Sequence, residues 1–196
     1  MTSLFQQHVE RWRNCRACPL CDQRGRIVLA RGKVPCDVVF VGEAPGDSED
    51  ALGAPFMGPA GKLLDGIIRH ALLPWAEKPR LAFTNLVACF PRESKEAGDN
   101  EPPDEAILAC RSRLIEFIRI ADPRLIVCVG ALARDWLDPK LRRLTKYVQV
   151  HREIPQVAIK HPAAIIRMNV AMQGLEKQRA AVTITNAVEE MYAVAT

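Results

Sequence analysis

Asp37-Val38-Val39-Phe40-Val41-Gly42-Glu43-Ala44-Pro45-Gly46 is the stretch that decides the fold. Its first half is short, continuously apolar and β-branched, the pattern of a strand buried on both faces within a parallel sheet. Its second half is a turn, in which Pro45 fixes its own φ and Gly46 is suited to positive φ. Glu43 puts a carboxylate directly at the strand exit.

Strand and helix patterns alternate on either side of this segment. Phe5, Val9 and Trp12 recur at helical spacing and predict a helix over 3–13. Pro59 opens a second helix whose apolar face is Leu63, Leu64, Ile67, Ile68 and Ala71. Leu81-Ala82-Phe83-Thr84 predicts the next strand. A charged loop over 92–105 follows, then a helix with Ile107, Cys110, Leu114 and Phe117 on one face. Leu125-Ile126-Val127-Cys128-Val129 is a third strand, closed by Gly130 and a helix through Trp136 and Leu137. Tyr147–Val150 and Gln156–Ile159 are weaker strand candidates, and a last helix runs from about Asn169 to Tyr192. Alternation of this kind implies an α/β fold, with a parallel sheet covered on both faces.

Length and composition bound the class. A chain of 196 residues, 48% of them hydrophobic, fits one globular domain over 1–196 with a core of ordinary size. The net charge of +4 permits nucleic-acid binding without establishing it. No run approaches the ~18 apolar residues of a membrane span, and the N-terminus has no apolar signal-peptide core. A cytoplasmic protein that does not contact membranes, expected as a monomer, follows from this. Seven cysteines in a reducing compartment point to metal ligation or burial rather than disulfides.

In open α/β sheets, ligands bind in the crevice beyond the carboxyl ends of the strands. Glu43 follows the first strand, Asn85 ends the second, Gly130 ends the third and His161 follows the last. A carboxylate, an amide and an imidazole on one side of a sheet suit recognition of a small, planar, polar ring. The glycines alone do not settle the chemistry. No Gly-Lys-Ser/Thr follows them, which argues against a nucleoside triphosphatase, and Gly-x-Gly-x-x-Gly does not occur. Phe56, within Pro55-Phe56-Met57-Gly58, lies in a loop where it either stacks on a flat ligand ring or plugs the loop from inside.

Gly42-Glu43-Ala44-Pro45-Gly46 with Glu49-Asp50, Pro55-Phe56-Met57-Gly58 with Ala60-Gly61, Thr84-Asn85, Cys89 and His161-Pro162 occur in this order. The set resembles family-4 uracil-DNA glycosylases, the bacterial and archaeal type with a [4Fe–4S] cluster, from Cys15 to about Arg167. The resemblance implies a three-layer α/β/α sandwich around a four-stranded parallel sheet. It also implies an enzyme that flips uracil out of single- or double-stranded DNA and hydrolyses its N-glycosidic bond. Cys15, Cys18, Cys89 and Cys110 would hold the cluster. Four thiolates from distant segments suit [4Fe–4S], while a four-thiolate zinc site or plain burial stays open on spacing alone. Cys21, at the same interval after Cys18, competes for its role; Cys36 and Cys128 read as core.

Within that resemblance, the Asn85 amide accepts from uracil N3–H and donates to O4, a pattern that cytosine reverses. His161 reaches O2, where charge gathers as the bond breaks, so Glu43 and His161 are the catalytic candidates. Gly42, Ala44, Phe56, Asn85, His161 and Arg167 form the substrate-binding set. Where the family pattern has His-Pro-Ser, this chain has His161-Pro162-Ala163, which removes a hydroxyl suited to phosphate. The Ile165-Ile166 pair after it is a candidate wedge for the base stack. A weakly active or inactive DNA-binding, repair-accessory paralogue and a nucleotide-processing enzyme of the same architecture remain as alternatives.

Overall fold

The computed structural model describes residues 2–92, 101–137 and 154–194. Its strands are β1 (Arg31–Gly32), β2 (Val38–Gly42), β3 (Leu81–Asn85), β4 (Leu125–Val129) and β5 (Gln156–Ile159). They form one sheet in the order β1–β3–β2–β4–β5. The four longer strands are parallel, and the two-residue β1 adds an antiparallel edge beside β3. The expected four-stranded parallel core is therefore present, with one short strand more. The Tyr147–Val150 candidate and most of the 92–105 loop lie outside the described residues.

The helices are α1 (Leu4–Trp12), α2 (Leu20–Gln23), α3 (Asp47–Leu52), α4 (Pro59–Ala71), α5 (Asp104–Ala121), α6 (Ala131–Leu137), α7 (Pro162–Ile166) and α8 (Val170–Ala193). Alternation along β2 sorts the two apolar layers. Val39 and Val41 pack with α5 and α6 through Ile107, Leu114, Phe117 and Trp136. Val38 and Phe40 face Leu64 and Ile67 of α4 and Ile184 of α8. Every residue of β2 is buried, as its unbroken apolar run requires. Among the described residues, no helix is long and apolar enough to cross a membrane.

The chain leaves β2 through α4 towards β3 on one side, and leaves β4 through α6 towards β5 on the other. Helices α4 and α6 pack on opposite faces, so the winding reverses between β2 and β4. That reversal opens a crevice at the strand ends. Register aligns those ends: Gly42 pairs with Asn85, and Val129 with Ile159.

A buried carboxylate fastens the cysteine-bearing segment to this frame. Asp50 is 2% exposed and accepts from the backbone N–H groups of Gly25 and Arg26 and from the Arg92 guanidinium. Burial works against its ionisation, but the bonds from Arg26, Arg92 and Gly25 outweigh it and hold the carboxyl below its usual range. Because the folded value is depressed, this stabilisation is complete above the unfolded carboxyl's value of about 3.9. It is lost as pH falls through the lower folded value. Asp50→Asn should cost about 2 kcal/mol at pH 7, since bonds to a charged acceptor are lost. Urea unfolding at pH 7 and pH 3 should show the gap between wild type and variant shrinking in acid.

Candidate active site

Two glycines at strand ends let side chains from four segments converge. A β-carbon on Gly42 would lie 2.5 Å from Asn85 Oδ1 and 2.6 Å from Phe56 Cζ. The amide and the ring edge therefore meet directly above position 42. Asn85 is 3% exposed, and among the described residues no hydrogen bond engages its side-chain amide. The amide lines the cleft, where it can offer one acceptor and two donors to a ligand.

Phe56 owes its position to an unusual backbone. Its φ is +58°, which few non-glycine residues adopt, and its main chain packs against the first turn of α4 at Gly61. Any β-carbon at Gly61 would run into the Phe56 carbonyl. Glu49 locks the loop: it accepts from the N–H groups of Gly46 at 3.0 Å, Met57 at 2.9 Å and Gly58 at 2.8 Å. Its carboxylate takes a donor from the turn after β2 and two from the Phe56 loop. Gly46 itself is extended, at φ −98°, and caps α3, so the positive φ expected there is not used. The Phe56 ring packs edge-on to Phe83, with centroids 6.0 Å apart. It therefore both plugs the loop and lines the cleft.

Across the crevice, Gly130 takes φ +103°, and a β-carbon there would sit 2.4 Å from Glu43 Oε1 and 3.3 Å from His161 Cβ. Glu43 thus lies over the end of β4 and next to His161, at the point where the winding reverses. His161 is the N-cap of α7, and its Nδ1 accepts from the Ala163 N–H at 3.2 Å. A neutral ring with Nδ1 occupied as acceptor carries its hydrogen on Nε2. Burial holds the imidazole below its usual pKa; the Arg167 charge adds to this and Glu49 opposes it. The neutral, Nε2-protonated ring is the resulting species.

These groups share a cleft of about 900 Å³ with Ala44 and Arg167. Arg134, Lys160 and Arg179 line it too, and Glu176 holds two of them, Lys160 at 3.2 Å and Arg179 at 2.9 Å. Glu43, Ala44, Phe56, Asn85, His161 and Arg167 are thereby brought together as the sequence implied, with Gly42 beneath them. The Ile165-Ile166 pair is not. Ile165 is fully buried in the layer formed by α4, α7 and α8, because α7 turns it inward, and only Ile166 is exposed.

A second, small cavity is lined by Cys15, Cys18, Cys21, Cys89 and Cys110, with Trp12, Arg24 and Arg113. All cysteines are free thiols. Burial pushes the Cys89 thiol up to about 11, with the Arg24 hydrogen bond working the other way, and burial likewise raises Cys18. Arg24 donates to Cys89 Sγ at 3.2 Å, and Arg113 to Cys110 Sγ at 3.3 Å. Two guanidinium groups aimed at sulfur suit thiolates and an anionic group bound by them. Among the described residues, no three His, Cys, Asp or Glu side chains close around a single-ion site. Cys36 and Cys128 are buried in the core as expected.

Sequence reasoning passed over Glu49, Asp50 and Arg113 as individuals. Arg113 left a trace: a cation three residues after Cys110 on a helix face otherwise occupied by Leu114 and Phe117.

Comparison with known proteins bears on this arrangement. Residues 30–188 match the family model described as the Uracil DNA glycosylase superfamily. The type-4 uracil-DNA glycosylase of Thermotoga maritima is 36% identical over 138 residues, 70% of this chain and 68% of that protein. That of Pyrobaculum aerophilum is 33% identical over 166 residues, 79% of this chain and 81% of its own. That of Sulfurisphaera tokodaii is 34% identical over 128 residues, 65% of this chain; the chain spans only 55% of that relative's length. With the family model matching residues 30–188 and a relative 36% identical over 70% of the chain, the chain belongs to the uracil DNA glycosylase superfamily.

Proposed function

We propose that this protein excises uracil from DNA by hydrolysing the N-glycosidic bond, the first step of base excision repair. The observation that carries this reading is the meeting of Phe56, Asn85, Glu43 and His161 above Gly42 and Gly130, in a chain of this family. A base inside a duplex is out of reach of such a cleft, so the uracil is flipped into it, whether from single- or double-stranded DNA. The edge of Phe56 packs against the ring. Gly42 and Ala44 form the floor and wall, and Asn85 accepts from N3–H while donating to O4. Cytosine presents the opposite pair and leaves the amide mismatched.

As the C1′–N1 bond breaks, its electron pair moves into the base and charge gathers on O2. The Nε2–H of neutral His161 donates there, an interaction strongest in the transition state. Glu43 supplies negative charge near the cationic sugar that remains; water adds to C1′ as the hydroxyl, and the proton it releases balances the uracil anion that departs. Arg167 reaches the DNA backbone. Ala163 brings no hydroxyl to that task, which weakens backbone contact more than base recognition.

In this reading Cys15, Cys18, Cys89 and Cys110 hold a [4Fe–4S] cluster, with Cys21 beside it. Their shared cavity and the two guanidinium groups directed at sulfur support the fit. When bound, such a cluster supplies a covalent tie among three segments of the chain. The protein acts in the cytoplasm as a single domain and a monomer.

Uracil release from a single-stranded oligonucleotide tests the activity directly; no release from protein with a full metal complement would end this reading. Anaerobically purified protein should be brown and contain about four irons per chain. Cys21→Ser should keep that iron, whereas loss of it would make Cys21 a ligand in place of Cys18.

Asn85→Ala should cut the single-turnover rate by about a hundredfold or more, the scale of losing an oriented polar contact. Asn85→Asp should in addition admit cytosine, since a protonated carboxyl offers donor and acceptor in the order cytosine needs. A wild-type rate in Asn85→Ala would make the amide structural only.

His161→Ala should lower the same rate by about a hundredfold while DNA affinity holds. Because the folded pKa lies below the usual histidine value, the neutral ring persists as pH falls through about 6.5. The wild-type rate should stay level across that range and decline only at lower pH. A drop centred near 6.5 would contradict the neutral donor.

A further inference from the structure

Arg113 heads the fully buried side chains ranked by size, at 1% exposure, and among the described residues no carboxylate pairs with it. Its fork is nevertheless fully used. Nε donates to Cys110 Sγ at 3.3 Å. One terminal nitrogen donates to Thr84 Oγ1 at 2.9 Å and, at 3.4 Å, to the Leu29 carbonyl. The other donates to the Asn85 carbonyl and, at 2.9 Å, to the Leu86 carbonyl. One edge of the guanidinium thus borders the cysteine cavity, and the opposite edge grips the end of β3.

The gripped backbone is the one that carries the base-reading amide. Beyond Asn85 the strand continues to pair with its neighbour: the Leu86 N–H donates to the Gly42 carbonyl at 2.9 Å, and the Val87 N–H to the Glu43 carbonyl at 3.2 Å. A rigid plane holding Asn85 and Leu86 therefore also fixes the level of Gly42 and Glu43. Burying a guanidinium without an anion is costly, and the cysteine sulfurs are the groups placed to balance it.

We propose that Arg113 is a positioning residue that joins the two cavities. Its charge answers the thiolates that hold the cluster, and its planar fork sets the Asn85 strand end from which uracil is read. This rests on the function proposed above, in which Asn85 reads the base and the cysteines hold iron. The two halves separate experimentally because one needs only charge and the other needs the planar fork.

Two variants make the separation, each folded cooperatively by urea denaturation. Arg113→Lys keeps the charge and loses the fork; Arg113→Met keeps bulk and loses the charge. Two readouts follow: decay of the visible absorbance in air with a chelator, and preference for an oligonucleotide carrying uncleavable 2′-fluoro-2′-deoxyuridine over one carrying 2′-fluoro-2′-deoxycytidine, whose base reverses the donor and acceptor that Asn85 meets. Arg113→Lys should hold iron about as long as wild type, with the uracil preference reduced by about tenfold, the scale of one or two oriented bonds. Arg113→Met should bleach about tenfold faster or more. Where a variant does not fold, Thr84→Val removes one acceptor of the fork and should lower the preference with iron retained.

Wild-type preference in folded Arg113→Lys or Thr84→Val overturns the clamp. Wild-type bleaching in folded Arg113→Met overturns the charge balance. Wild-type protein without iron, or without any preference for the uracil analogue, marks instead the failure of the underlying function.

Discussion

A β-carbon at position 42 would stand 2.5 Å from the Asn85 amide oxygen, and one at position 130 would stand 2.4 Å from the Glu43 carboxylate. The site depends on the absence of those two atoms. Parallel strands of matched register end at one level, and ordinary residues there would hold the neighbouring side chains apart. With glycine on β2 and just after β4, side chains from four segments line one cleft, Asn85 and Phe56 over position 42 and Glu43 and His161 by position 130. The sheet provides rigidity and the glycines provide the room, which is how a site on rigid elements holds close geometry.

Glu49 and Asp50 are adjacent in sequence yet serve different parts of the molecule. Glu49 draws the turn after β2 and the Phe56 loop onto one carboxylate. Asp50, pointing the other way from α3, secures the backbone at Gly25 and Arg26, just beyond the cysteine-bearing α2. One short helix thereby ties the ring-packing loop to the segment that bears Cys15 and Cys18. Its carboxylates satisfy backbone donors that no strand or helix ladder would otherwise reach.

Much of this was legible in the sequence because long apolar runs have few alternatives. Val38–Val41, Leu125–Val129 and the α4 and α5 faces appear where their periodicities put them. The strand ends followed from the topological rule, which placed Glu43, Asn85, Gly130 and His161 on one side. What was not legible is short or depends on partners far away. The two-residue β1, and α2, α3 and α7 at four to six residues, carry too little periodicity to detect. Ile165 and Ile166 look equivalent as neighbours, but a single helical turn buries one and exposes the other. Arg113 reads as a surface cation on composition alone, and only the fold brings five acceptors to it.

The hold on His161 comes from the main chain of residue 163. Any amino acid with a backbone N–H supplies that donor, so the ring keeps its orientation whatever side chain stands there. Position 163 is therefore open to drift, with proline as the exception because its nitrogen carries no hydrogen. Alanine in place of the serine common in the family pattern alters what the cleft presents to its ligand and leaves the imidazole in register. The fold separates the position that tunes the surface from the atom that fixes the chemistry, and variation can accumulate at the first without cost to the second.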